Sequence, residues 1–141
     1  MYEYAIKRVK RIHDGDTIIV DLDLGRKVTI EDDPVRFFGL NCPEIHDANP
    51  DLKKRAEAAM AFVTARLMPT TGTVQVKMRA EKPYPDDKYG RWCGMILYRK
   101  TPTAKKAAAN WEGLEGWTCL NDELLATGHA KPYTGQGIKP V

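Results

Sequence analysis

The 141-residue sequence predicts a mainly β (α+β) fold: a five-stranded barrel with one long helix between its third and fourth strands and a short helix toward its C-terminal side. Two observations carry that expectation. Five segments alternate apolar and polar residues with a period of two and are parted by turn residues, as strands buried on one face do. Between the third and fourth, apolar residues recur at helical spacing. Length points to one domain, 1–141. Hydrophobic residues make up 43% and charged residues 29%, which excludes disordered and collagen-like chains.

The first strand alternates through Tyr4 and Ile6 and continues to Val9 and Ile12; Asp14-Gly15 then turns the chain. Ile18, Val20, Leu22 and Leu24 alternate with polar residues in the second strand, and Gly25 turns the chain again. Val28 and Ile30 begin the third strand, Asp32-Asp33-Pro34 bends it, and Val35-Arg36-Phe37-Phe38 completes it. Asn49 is placed to cap the long helix, with Pro50 at its first position and Asp51 in the first turn, where a carboxylate favours the helix dipole. Leu52, Ala56, Ala59, Met60, Val63 and Leu67 share one face, and Pro69 follows the end. Val74, Val76 and Met78 make the fourth strand and Trp92 to Tyr98 the fifth. Between these two strands, residues 82–90 read as a polar loop. Asn121 to Thr127 reads as a short helix stopped by Gly128. Residues 99–118 read as an insertion and residues 134–141 as a loose tail. Strands and helix in this order are those of the OB-fold, a small, partly open barrel that often binds nucleic acid.

Net charge is only +3, but it is unevenly laid out. Residues 1–52 carry seven basic and eleven acidic side chains, residues 53–106 thirteen and four. A basic middle of this kind attracts polyanions or forms a solvated face. Three cysteines (Cys42, Cys93 and Cys119), with no close pair, argue against a disulfide framework or a zinc knuckle. Reduced thiols fit a cytoplasmic protein, and because the opening residues run straight into strand pattern no secretory signal is expected in this sequence. No run of apolar residues is long enough to span a bilayer, so no membrane association is expected. A monomer is the default expectation.

Four short elements carry candidate chemistry: Asp14-Gly15-Asp16-Thr17; Arg36; Asn41-Cys42-Pro43-Glu44; and Asp87-Lys88-Tyr89-Gly90-Arg91. Each alone has a bland reading as a turn or a surface charge. Together they are the parts of a phosphodiester hydrolase, which needs charge compensation at phosphorus and an activated water. Asp16, the Asn41 amide oxygen and the Cys42 main-chain oxygen are hard donors, suited to Ca²⁺ or Mg²⁺. Glu44 is a candidate to take the proton from water. Arg36 and Arg91 offer the bidentate grip on phosphate that lysine lacks.

In these motifs the sequence resembles the staphylococcal nuclease (thermonuclease) family, from about Ile6 to Tyr133. The likeness continues through the closing L-x-x-x-L-L-A-x-G-x-A-K segment. It implies a divalent-cation-dependent nuclease on an OB barrel, cleaving DNA, RNA or both and leaving 3′-phosphate ends. By the same resemblance Asp16, Asn41 and the Cys42 carbonyl hold Ca²⁺, Glu44 is the general base, and Arg36 and Arg91 stabilise the transition state. Lys88 and Tyr89 hold a neighbouring phosphate, and Tyr133 packs on a nucleotide.

Departures from the family pattern matter too. Asn41 stands where the family usually has a carboxylate, which keeps an oxygen donor and removes one negative charge, so weaker divalent affinity is expected. Cys42 replaces a small or hydroxylated residue, tolerable if only its carbonyl is used. With so few residues after Tyr133, the family's C-terminal helix is expected to be missing from this sequence. The alternative is a non-catalytic OB-fold module that binds nucleic acid or protein around a degenerate metal site. Among the remaining residues, His13, His46 and His129 read as structural or peripheral. Trp92 is expected to pack on the barrel. Trp111 and Trp117 are candidates to stack on bases, with packing of the insertion as the alternative.

Overall fold

The structure, a computed structural model, describes residues 2–80, 91–101 and 116–133. In chain order the elements are β1 (Tyr2–Asp14), β2 (Thr17–Asp23), β3 (Thr29–Phe37), β4 (Leu40–Asn41), α1 (Pro50–Leu67), β5 (Val74–Ala80), β6 (Trp92–Lys100), β7 (Thr118–Cys119), α2 (Leu120–Ala126) and β8 (Lys131–Pro132). The five strands expected from periodicity are β1, β2, β3, β5 and β6. The other three have two residues each, too few to show a period.

The large sheet runs β3-β2-β1-β5-β6-β7, and β3 also pairs with β6, in parallel, which closes it into a ring. Long β1 makes the closure work. Its residues 2–6 pair with β5 while residues 5–14 pair with β2, and three register shifts along it let the strand bend between its partners. The predicted bend in β3 is a bulge. An extra residue separates the Asp33–Val20 and Ile30–Leu22 pairs, and Asp32 takes a φ of 54°. The Asp32 N–H there donates to Asp21 Oδ1 at 3.1 Å.

Inward-facing residues fill the barrel: Ile6 and Ile12 from β1, Ile18, Val20 and Leu22 from β2, Val35 and Phe37 from β3, Val76 and Met78 from β5, and Ile96 from β6. The cap on α1 forms as the sequence suggests, Asn49 Oδ1 accepting the N–H groups of Asp51 at 2.9 Å and Leu52 at 3.3 Å. The helix then buries Ala56, Ala59, Val63 and Leu67, with Ala59 and Val63 fully enclosed. Among the described residues no helix is long and apolar enough to cross a membrane.

A second, thinner layer covers the outside of the sheet. Lys77 alternates away from the barrel core, as the period of two requires, yet it is fully buried. Its Nζ lies 3.2 Å from Glu3 Oε2 and 4.4 Å from the centre of the Trp117 ring, and the Arg99 guanidinium lies 4.4 Å from that same ring. Trp117 is thus packed onto the sheet and 8% exposed. Trp92 packs edge-on against Tyr4, their ring centres 5.1 Å apart. Of the stretch read as an insertion, Arg99 and Lys100 complete β6 and Thr118 opens β7. Trp111 and the tail 134–141 lie outside the described residues.

Candidate active site

Four of the residues singled out from the sequence meet at one end of the barrel. Asp16 ends the turn between β1 and β2 and is 4% exposed. Its Oδ1 accepts the Thr17 hydroxyl at 3.0 Å and its Oδ2 the backbone N–H of Cys42 at 2.9 Å. Arg36, near the end of β3, is paired with Thr17 in the ladder. Its Nη1 lies 3.3 Å from Asp16 Oδ2, and its Nη2 donates to Asn41 Oδ1 and to the Leu40 carbonyl, each at 3.2 Å. Asp16 and Asn41 therefore turn side-chain oxygens toward a single cationic group.

The backbone around them is fixed from several directions. Phe37 N–H donates to the Asp16 carbonyl at 2.8 Å. β4, which contains Asn41, is laddered to β8 through the pairs Leu40–Pro132 and Asn41–Lys131. Behind the turn, Gly15 faces Ala59 of α1 and the buried Cys42 so closely that a Cβ on Gly15 would stand 2.7 Å from Ala59 Cβ and 2.9 Å from Cys42 Sγ. Helix α1 thus sets how deep the Asp14–Thr17 turn sits.

Glu44 follows Pro43 at the exposed rim, its carbonyl accepting the Asp47 N–H at 3.1 Å. Asp14, two residues before Asp16, was not assigned a role from the sequence, although it stands in the same motif. Its Oδ1 accepts the Ile45 N–H at 3.3 Å. Burial pushes its carboxyl above the usual range; the Ile45 N–H and His13 work against that rise, and the negative charges of Asp16 and Glu44 add to it. Carboxylates from both loops therefore share one electrostatic environment. The Cys42 thiol is pushed up to about 12, first by burial and then by the Asp16 charge, so it is no nucleophile at neutral pH.

Arg91 immediately precedes Trp92, the residue of β6 that pairs with Val35, so the β3–β6 closure brings it alongside the strand of Arg36. Lys88 and Tyr89 lie outside the described residues. Tyr133 follows β8 and donates its N–H to the Gly39 carbonyl at 2.9 Å, beside β4; its side chain is mostly buried. His13 lies 3.6 Å from Asp14, and His129 packs on Phe62 with ring centres 4.7 Å apart.

Asn121, a buried residue of α2 that the sequence did not mark, joins the strands behind the site. Its Oδ1 accepts the Ile96 N–H at 2.9 Å, and its Nδ2 donates to the carbonyls of Phe38 at 2.9 Å and Gly94 at 3.3 Å. Only its place at the start of a short helix could have drawn notice, because the bonds it makes span 25 to 83 residues of chain.

Among the described residues, no group of three or more His, Cys, Asp and Glu side chains could hold a metal ion. A cation here would draw on a mixed set of hard oxygens, from the Asp16 carboxylate, the Asn41 amide and the Cys42 main chain. By donor chemistry that set fits a hard divalent ion such as Ca²⁺ or Mg²⁺, and a cation there would compete with Arg36 for the Asp16 and Asn41 oxygens. With an amide in place of one carboxylate, the site is poorer in negative charge than a two-carboxylate one.

Comparison with a family model takes in Arg36, Asn41, Cys42 and Glu44 but does not reach Asp16. Residues 34–139 match the family model described as staphylococcal nuclease homologue. Over 95 residues, 64% of this chain, the sequence is 37% identical to a thermonuclease from Staphylococcus intermedius. The match covers 50% of that protein, so the chain spans about half the length of the curated relative it matches.

Proposed function

The chain belongs to the staphylococcal nuclease homologue family, and from that premise we propose that it is a divalent-cation-dependent nuclease hydrolysing phosphodiester bonds of DNA, RNA or both, leaving 3′-phosphate ends. The observation that carries the reading is the convergence of Asp16, Arg36, Asn41 and Cys42 within hydrogen-bond reach of one another, with Glu44 on the same loop.

In this reading Asp16, Asn41 and the Cys42 carbonyl hold Ca²⁺ or another hard cation. The ion, when bound, supplies positive charge to a phosphate oxygen. Glu44, exposed at the rim, takes the proton from the attacking water. Arg36 presents its guanidinium edge to the phosphate; the negative charge that grows there in the transition state is what its fixed donors stabilise. Without a cation it is held by Asp16, Asn41 and the Leu40 carbonyl; its N–H groups become free for the phosphate once a cation takes the first two oxygens. Arg91 is the second phosphate ligand. Lys88 and Tyr89 contact the neighbouring nucleotide; Tyr133, expected from the sequence to pack on a nucleotide, is only 9% exposed and offers it no open face.

The second reading, a nucleic-acid- or protein-binding OB module without catalysis, is favoured by one feature: Asn41 in place of a carboxylate. Calcium titration by calorimetry on wild type and Asn41→Asp separates the two. The nuclease reading expects calcium binding that tightens in Asn41→Asp, with less calcium then needed for activity. Identical calcium affinity in both proteins removes Asn41 from the coordination shell. Nucleic-acid binding that falls with salt but ignores calcium supports the binding module.

A further inference from the structure

Phe38 is the most exposed of the large apolar side chains in the described residues, at 56%. Single exposed apolar residues are common and by themselves mean nothing; position and rigidity distinguish this one. Burial alternates along Val35, Arg36, Phe37 and Phe38: the first and third are enclosed in the core, Arg36 is partly covered where it meets Asp16 and Asn41, and Phe38 is open. Phe38 is the first residue past the end of β3. Continued by one residue, the alternation of the strand puts it on the side of Arg36, two residue rises or about 6.6 Å along the chain, comparable to the span of one nucleotide from phosphate to base. The backbone at Phe38 is held at both ends. Its N–H donates to the Gly94 carbonyl at 2.9 Å, and its carbonyl accepts from the buried Asn121 amide, also at 2.9 Å. Next comes Gly39, at a φ of 82°, whose carbonyl is tied to the Tyr133 N–H. Tyr133 itself is only 9% exposed. Among the described residues, the open aromatic face beside β4 is thus that of Phe38.

We propose that Phe38 is a base-stacking platform, receiving the nucleobase of the nucleotide whose phosphate Arg36 engages. The proposal rests on the nuclease reading of the site and adds to it a residue that contacts bases. An aromatic face accepts any base, so the contact confers preference for unstacked, single-stranded nucleic acid and not for sequence. Because the backbone is already fixed, little ordering is required on binding.

The test is fluorescence anisotropy, in chelator to prevent cleavage, with a labelled single-stranded DNA and an abasic oligonucleotide of the same length and charge. Wild type is expected to prefer the DNA with bases. Phe38→Ala should weaken that complex by about fivefold to a hundredfold, the span of one aromatic–base stack, and leave abasic binding unchanged. Phe38→Trp should restore affinity, with indole fluorescence quenched on binding. Urea unfolding of Phe38→Ala should match wild type, since the side chain is largely in solvent. Equal loss for both oligonucleotides, or no loss for either, overturns the stacking role while leaving the nuclease reading standing. Wild type that binds neither oligonucleotide contradicts the nucleic-acid reading itself and this inference with it.

Discussion

Replacing Gly15 by alanine tests whether α1 sets the depth of the Asp14–Thr17 turn. The added methyl would stand 2.7 Å from Ala59 Cβ and 2.9 Å from Cys42 Sγ, whereas apolar carbons rest at about 3.5–4.0 Å. Turn and helix must therefore part by about 1 Å. Neither obstacle is the free end of a flexible chain: one is a helix methyl in the core and the other a buried thiol. Overpacking of this kind costs about 1–3 kcal/mol. The same displacement acts on the 2.9 Å bond from Cys42 N–H to Asp16 Oδ2, so the site loosens as the fold weakens. Urea unfolding of wild type, Gly15→Ala, Ala59→Gly and the double variant measures this. Ala59→Gly alone loses about 1 kcal/mol of helix propensity, but it removes the first obstacle, so Gly15→Ala should cost less in that background. A Gly15→Ala protein as stable as wild type, or one equally penalised with and without the Ala59 methyl, would refute the steric account.

Two further predictions concern groups around the barrel. Cys42, its thiol pushed up to about 12, should resist alkylation at pH 8 in the native protein and react only after unfolding in urea. Peptide mass spectrometry that finds Cys42 labelled as fast as Cys93 in the native state would contradict its burial. Asp21 is held below the ordinary carboxylate value of 3.8: burial opposes its charge, but the Asp32 N–H and the Lys10 and Arg8 cations outweigh it. Its contribution to stability is then present above about pH 4 and is lost as pH falls through the lower folded value. The stability gap between wild type and Asp21→Asn should accordingly shrink on acidification; a gap constant from pH 7 to pH 3 in urea melts would show that the ion pairs are not its source.

What could be read from the sequence follows from how local each feature is. The period-two runs through Ile18–Leu22 and Val74–Met78, the Asn49 cap with Pro50 behind it and the Gly128 stop are signals within a few residues, and each lies where expected. The cluster of Asp16, Arg36, Asn41 and Cys42 stands out in the sequence by donor chemistry and by short motifs that resemble those of a known family; the β1–β2 turn, the end of β3 and β4 bring it together. Contacts that depend on long closure were not legible. Nothing near Gly15 announces Ala59, and nothing near Asn121 announces Phe38. Leu40–Asn41 shows no strand period, because its strand exists only through Lys131–Pro132. Lys77 reads as a solvent-facing strand residue, yet Glu3 and Trp117 cover it. Trp117, open to a base-stacking role by sequence, is packed between two cations on the sheet.

Cation-dependent phosphodiester hydrolysis, with Glu44 as the base, is the centre of the account. It is tested most directly by cleavage of end-labelled DNA and RNA by wild type and Glu44→Gln, each with calcium and with excess chelator. The account predicts cutting by wild type that leaves 3′-phosphate ends and stops in chelator. It also predicts a turnover lower by about 10²–10⁴ in a folded Glu44→Gln protein. Folded wild type that cuts neither polymer under any divalent cation, or Glu44→Gln that cuts at the wild-type rate, would contradict it.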